Sequence, residues 1–149
     1  MKQKHIDAHM KVAQIYASLS TAIRLKVGAI VVKDNRVLSI GYNGMPSGWD
    51  NNCEEVIGQV LDDNGRIVET RLKTKPEVIH AEANAIAKLA KSTDSGDGAD
   101  MFLTHAPCID CAKQIFTSGI KKVYFGEHYR NEDGLTFLEK CGIEIVHVS

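Results

Sequence analysis

MFLTHAPCIDCAKQIFTSGIKKVYFG, residues 101–126, is the stretch whose reading decides the fold. Met101 to His105 is a short apolar run with the length of a buried strand. Pro107 stands where the first turn of a helix tolerates a missing N–H, and Gly119 where a helix stops. Lys122 to Gly126 is a second short strand. Cys108 and Cys111 therefore fall at a helix N-terminus, where the dipole and unpaired amide groups favour thiolates.

Toward the N-terminus, His80 to Lys91 reads as a helix with Ala83, Ile86, Ala87 and Ala90 on its buried stripe, placing His80 and Glu82 in its first turn. Ser92 to Asp100 is a polar loop. Val27 to Val32 and Val37 to Tyr42, joined by the turn Lys33-Asp34-Asn35-Arg36, form an opening hairpin. Before it, Val12, Ile15, Tyr16 and Leu19 mark the apolar face of a helix over residues 5–19. Gly41-Tyr42-Asn43-Gly44-Met45-Pro46-Ser47-Gly48 reads as a loop whose main chain can approach a ligand. Within residues 49–77, Asp63-Asn64-Gly65 predicts a small hairpin closed by a primed turn.

Toward the C-terminus, Leu135 to Cys141 reads as a short helix stopped by Gly142, and Ile143 to Val148 as the last strand. Cys141 is expected in the core beside Phe137 and Leu138, and Cys53 as a surface thiol. Strands alternating with helices after a hairpin give an α/β domain, residues 1–149. Its mixed sheet of about five strands is covered on both faces in three α/β/α layers.

The 149 residues are 44% apolar and 25% charged, an ordinary globular balance. Eighteen Lys and Arg face 19 Asp and Glu, a formal charge of -1, so no broad polyanion-binding surface is expected and nucleic acid is disfavoured as a partner. No apolar run approaches the roughly 18 residues that cross a bilayer. Met1-Lys2-Gln3-Lys4-His5 leads into a polar helix rather than a secretory leader, and a cytoplasmic protein is the expectation. A C-x-x-C among four cysteines points to metal or redox chemistry in a reducing compartment.

His80, Cys108 and Cys111 supply three ligands for one zinc ion, leaving a fourth position for water. Glu82 lies two residues from His80, on a different side of the helix, which frees it for proton transfer. A structural zinc would want a fourth protein ligand, and a redox pair would use the same C-x-x-C spacing. His105 reads as a hydrogen-bonding residue at a strand end. Arg24 and Lys26 flank a strand start and could grip one phosphate.

His80-Ala81-Glu82 followed by Pro107-Cys108-Ile109-Asp110-Cys111 is similar to the signature of zinc-dependent base deaminases. With Val27-Gly28-Ala29, Gly41-Tyr42-Asn43-Gly44, His80 to Ile86, Ser118 to Lys122 and Tyr129, the chain resembles the deoxycytidylate deaminases of the cytidine deaminase superfamily from Ser20 to Val148. That resemblance implies hydrolysis of dCMP to dUMP and ammonia, with Glu82 catalytic and His80, Cys108 and Cys111 holding zinc. It implies substrate contacts from Asn43, Tyr129, Arg24 and Ala81. It also implies a hexamer, activated by dCTP with Mg²⁺ and inhibited by dTTP through Gly41, Tyr42 and Gly44. Some members hold a second, structural zinc on a cysteine ahead of the first strand and a carboxylate two residues before the catalytic histidine. Those positions are Ala22 and Val78 here, so no second zinc of that kind is expected. The competing readings are another deaminase of the superfamily, acting on a nucleoside, a guanine-like base or tRNA adenosine, and a zinc-stabilised nucleotide-binding module without activity.

Overall fold

Helix α1 (Gln3–Ala17) precedes strands β1 (Gly28–Lys33) and β2 (Arg36–Tyr42), then β3 (Glu54–Leu61) and β4 (Ile67–Thr74). Helix α2 (Ala81–Leu89), strand β5 (Asp100–His105), helix α3 (Ile109–Thr117), strand β6 (Lys122–Glu127), helix α4 (Asp133–Lys140) and strand β7 (Glu144–His147) follow. The computed structural model describes all residues, Met1–Ser149.

Five strands form one sheet in the order β2-β1-β5-β6-β7. β1 runs antiparallel to both β2 and β5, whereas β5, β6 and β7 are parallel. The mixed character follows from the connections: the hairpin reverses the chain, and the helical crossovers after β5 and β6 return it in the same direction. The central strands are buried on both sides, so they read as continuous apolar runs.

Alternate residues of those strands serve two separate cores. Ile30, Val32, Phe102 and Tyr124 face α1, meeting Met10 and Ala13, and the Phe102 and Tyr124 rings stack with centroids 4.4 Å apart. Ala29, Val31, Met101, Leu103, Val123 and Phe125 face the other way, onto α2, α3 and α4. The three-layer expectation is met, with one helix on one side and three on the other.

Both predicted helix stripes need correction. α1 buries His9, Met10, Ala13 and Ala17, while Ile15 and Leu19 face outward. α2 buries Ala81, Glu82, Ala85 and Leu89, leaving Ala87 and Ala90 exposed and Ala83 and Ile86 half-buried. In each case small residues face the sheet, because the helix lies close to strand backbone there. A Cβ on Gly41 of β2 would sit 2.3 Å from the Ala81 carbonyl oxygen and 2.7 Å from the Ala85 nitrogen.

The hairpin predicted around Asn64-Gly65 is longer than expected, a separate two-stranded ribbon of β3 and β4. Its turn is not of the primed type: only Gly65 has positive φ, and the Asp62 carboxylate accepts from the N–H groups of Asn64 and Arg66. Both central residues of the β1–β2 turn, Asp34 and Asn35, do have positive φ. Gly41 and Tyr42 belong to β2 rather than to the following loop. Cys141 is half-buried rather than core, and Cys53 is buried rather than exposed, packed with Ala22 and Val78 in a third small cluster.

Candidate active site

His80 and Cys108 are both N-cap residues, of α2 and α3, each with an extended backbone and neither using its side chain to cap. This is one residue earlier than the sequence suggests for His80. The cap position turns each side chain away from its own helix axis and toward the neighbouring helix start. Two backbone contacts hold the arrangement. Gly44 exchanges N–H···O bonds of 3.1 and 2.8 Å with Ile79, fixing the chain just ahead of His80. Gly134 of α4 lies so close to the cysteine segment that a Cβ there would be 2.1 Å from the Pro107 carbonyl oxygen.

The Nδ1 atom of His80 lies 3.3 Å from Cys111 Sγ and 3.6 Å from Cys108 Sγ, and all three ligand atoms fall within 4.8 Å of one another. A tetrahedral zinc ion with ordinary bonds to one nitrogen and two sulfurs needs N···S separations of about 3.5 Å. The residues therefore fit zinc in both donor chemistry and spacing. His80 is exposed and Cys111 buried, so the set opens on one side.

Hydrogen bonds from Cys111 and His80 draw the Cys108 thiol down to about 4, well into the thiolate range. Cys111 is pushed in the opposite direction, mainly because it is the donor in that pair. A hydrogen bond with Cys108 raises His80 despite partial burial. Glu82 is 5% exposed, and burial pushes its carboxyl above the usual carboxylate range. Burial brings the affinity of that carboxyl for a proton closer to that of its exchange partners, which suits a group that both takes and gives protons.

These groups open into a cavity of about 350 Å³, within the range of small-ligand sites. His80, Ala81, Glu82 and Cys108 line it together with Arg24, Asn43, His105 and Tyr129. Asn43 is pinned: its Oδ1 accepts from Val27 N–H at 2.8 Å, and its Nδ2 donates to the Leu25 carbonyl at 2.8 Å. One N–H and one lone pair of that amide stay free. Arg24 donates to Thr74 Oγ1 at 3.3 Å, and Tyr129 packs against the larger core cluster. Gly41, Tyr42 and Gly44 do not line the cavity; they brace it, Gly41 beneath α2 and Gly44 beside Ile79.

The zinc-binding region of cytidine and deoxycytidylate deaminases matches residues 3–127. This chain belongs to that family. The deoxycytidylate deaminase of phage T4 is 34% identical, the match covering 93% of this chain and 87% of that one. The human deoxycytidylate deaminase is 39% identical over 85% of this chain and 67% of its own length. Among solved structures, the dCMP deaminase of cyanophage S-TIM5, in complex with dCMP and dUMP, is 42% identical with a TM-score of 0.86, covering 99% of both chains.

Within the family site, Thr74, Leu25, His128 and Arg130 are lining residues that the sequence reading missed. Arg130 had a usable signal, a cation beside Tyr129 just past a strand end. Thr74 had none, since it reaches the cavity only because the β3–β4 ribbon returns its last residue beside Arg24. Ala22, Cys53 and Val78 also reach the cavity wall, as an apolar patch. The Cys53 thiol lies 3.5 Å from Thr21 Oγ1.

Proposed function

We propose that this protein hydrolyses dCMP to dUMP and ammonia. The observation that carries the reading is the sharing of one cavity by the buried Glu82 carboxyl, by His80 and Cys108 of the zinc-ready His80-Cys108-Cys111 set, and by Arg24, Arg130 and Tyr129. A buried acid beside a metal site suits exchange of an amino group for oxygen on a base, and two guanidinium groups suit a nucleotide phosphate. Family members of similar length named for dCMP support the same choice.

Zinc, held by His80, Cys108 and Cys111, would acidify and polarise the water used in hydrolysis. Glu82 would take one proton from the attacking water and pass it to ring N3 as the oxygen bonds to C4. It would then carry the remaining proton of the new C4 hydroxyl to the amino group as the C4–N bond breaks and ammonia leaves. Its burial keeps the proton from bulk solvent between these transfers. The free N–H of Ala81, in the first turn of α2, is a donor for the base. Asn43 positions the sugar, Tyr129 closes over the nucleotide, and Arg24 with Arg130 meets the phosphate.

The reading extends to a cytoplasmic homo-hexamer, activated by dCTP with Mg²⁺ and inhibited by dTTP. No helix is long and apolar enough to cross a membrane. Exposed Val56, Ile57, Leu61, Ile67 and Val68 on the ribbon support self-association, since an isolated two-stranded ribbon is marginal in water. An ultraviolet assay of the zinc-loaded protein on dCMP, CMP, deoxycytidine and dCTP, repeated with dCTP or dTTP added, tests the whole reading. Turnover of deoxycytidine but not dCMP would remove the nucleotide assignment.

A further inference from the structure

Thr104 and His105, the last residues of β5, form a short relay that nothing in the deamination scheme uses. The Thr104 hydroxyl is buried, accepts the Gly28 N–H at 3.0 Å, and lies 2.8 Å from His105 Nδ1. An amide N–H can only donate, so the one hydroxyl proton of Thr104 must go elsewhere. In a buried setting it goes to an acceptor, and His105 Nδ1 is the one within reach. Nδ1 is therefore an acceptor, which places the proton of the neutral ring on Nε2.

No protein group takes up that Nε2–H, while His105 lines the cavity that holds Glu82. Burial lowers the His105 pKa, opposed only by the Glu127 carboxylate, so the ring stays uncharged at neutral pH. A neutral donor is poorly suited to a phosphate, a task already within the means of Arg24 and Arg130. It suits an uncharged oxygen: the 2-oxo group of a pyrimidine or the 3′-hydroxyl of a deoxyribose.

We propose that His105, set in the Nε2–H tautomer by Thr104, donates a hydrogen bond to an uncharged oxygen of the bound nucleotide and so helps to position it. The inference rests on the nucleotide reading above, and its test separates the two.

The zinc-loaded Glu82→Gln protein, ¹⁵N-labelled at histidine, should show the His105 Nε2–H tautomer by NMR, and added dCMP should move its Nε2 resonance. Thr104→Val should mix the tautomers, whereas Thr104→Ser should restore the single form. With Glu82 intact, His105→Leu should lower kcat/KM for dCMP about tenfold, the worth of one neutral hydrogen bond. His105→Gln, which keeps an N–H near the Nε2 position, should recover most of it. Equal kcat/KM of wild type and His105→Leu on 2′,3′-dideoxy-CMP assigns the bond to the 3′-hydroxyl, and a value still about tenfold lower in His105→Leu on that substrate assigns it to the base. An Nδ1–H tautomer overturns the proposal, as does an Nε2 resonance unmoved while the Tyr129 ring signals respond to dCMP. If neither His105 nor Tyr129 responds, the substrate reading falls and the donor role falls with it.

Discussion

The corner that carries His80, Glu82, Cys108 and Cys111 and the ribbon of β3 and β4 are held in place by different means. In the corner, backbone presses on backbone: Gly41 against Ala81 and Ala85, Gly134 against Pro107 and Cys108. No side chain intervenes that could relax by changing rotamer. The ribbon strands pair mainly with each other, and Val56, Ile57, Leu61, Ile67 and Val68 remain exposed. Yet the base of the ribbon, through Cys53 and Thr74, supplies part of the cavity wall. The candidate site thus stands on close backbone contacts, and part of its cavity wall on a ribbon whose apolar residues are exposed.

The contrast is tested most severely in the corner. Glu82→Gln should keep zinc while turnover falls by about 10²–10⁴-fold, the range for a lost general acid–base group. Metal analysis beside the dCMP assay checks both halves, and substantial residual turnover would exclude Glu82 from the role. Cys108→Ala should lose zinc and melt more than ~5 °C lower, because metal binding is linked to folding. Stripping zinc from the wild type with a chelator should reproduce that melting shift, and full occupancy in the mutant would contradict the ligand assignment.

Gly134→Ala changes no ligand but puts a Cβ against the Pro107 carbonyl, at a cost of about 1–3 kcal/mol. It should lower both the melting temperature and the activity; wild-type values for both would mean that the corner can yield. A smaller effect appears in the pH dependence of the zinc-free protein. Burial raises the folded pKa of Glu82, so between the unfolded and folded values the folded chain binds more protons. Its stabilising contribution is complete below the unfolded value and is lost as pH rises through the folded one. Urea midpoints followed upward from the unfolded glutamate value of about 4.3 should fall for zinc-free wild type relative to zinc-free Glu82→Gln. Parallel curves would refute the assignment of that proton to Glu82.

The ribbon should respond least in stability. Val68→Ser on its exposed face should change unfolding free energy by no more than about 0.5 kcal/mol. In a hexamer that uses this face, the same change should lower the assembly mass in light scattering. An unchanged mass would take the Val68 face out of the interface.

The strand-helix-strand alternation of residues 101–126 was legible because central strands are buried on both faces and leave unbroken apolar runs. The clustering of His80, Cys108 and Cys111 was legible because they sit at two helix starts, where local sequence signals are strong. The buried faces of α1 and α2 were not. A stripe scored by large apolar residues selects Ile15 and Leu19, but a helix lying on strand backbone turns Ala13 and Ala17 inward. Cys53 looked like a surface thiol because the apolar partners that bury it, Ala22 and Val78, come from distant parts of the chain. Arg24 and Thr74 show the same difficulty, since contacts between such separated residues carry no periodicity.

The antiparallel pairing of β1 with β5, which sets Ala29 opposite Leu103, also governs the order of events as the chain folds. His80 and Cys108 lie on either side of β5, and both helix starts are positioned by the sheet beneath them. This pairing closes a long loop, a slow step by comparison with helix formation. Zinc capture should therefore lag behind sheet formation in refolding from denaturant, with metal uptake followed by a chromogenic chelator trailing the far-ultraviolet signal. The ion then acts as a latch that closes once the scaffold exists, rather than as a seed around which it grows.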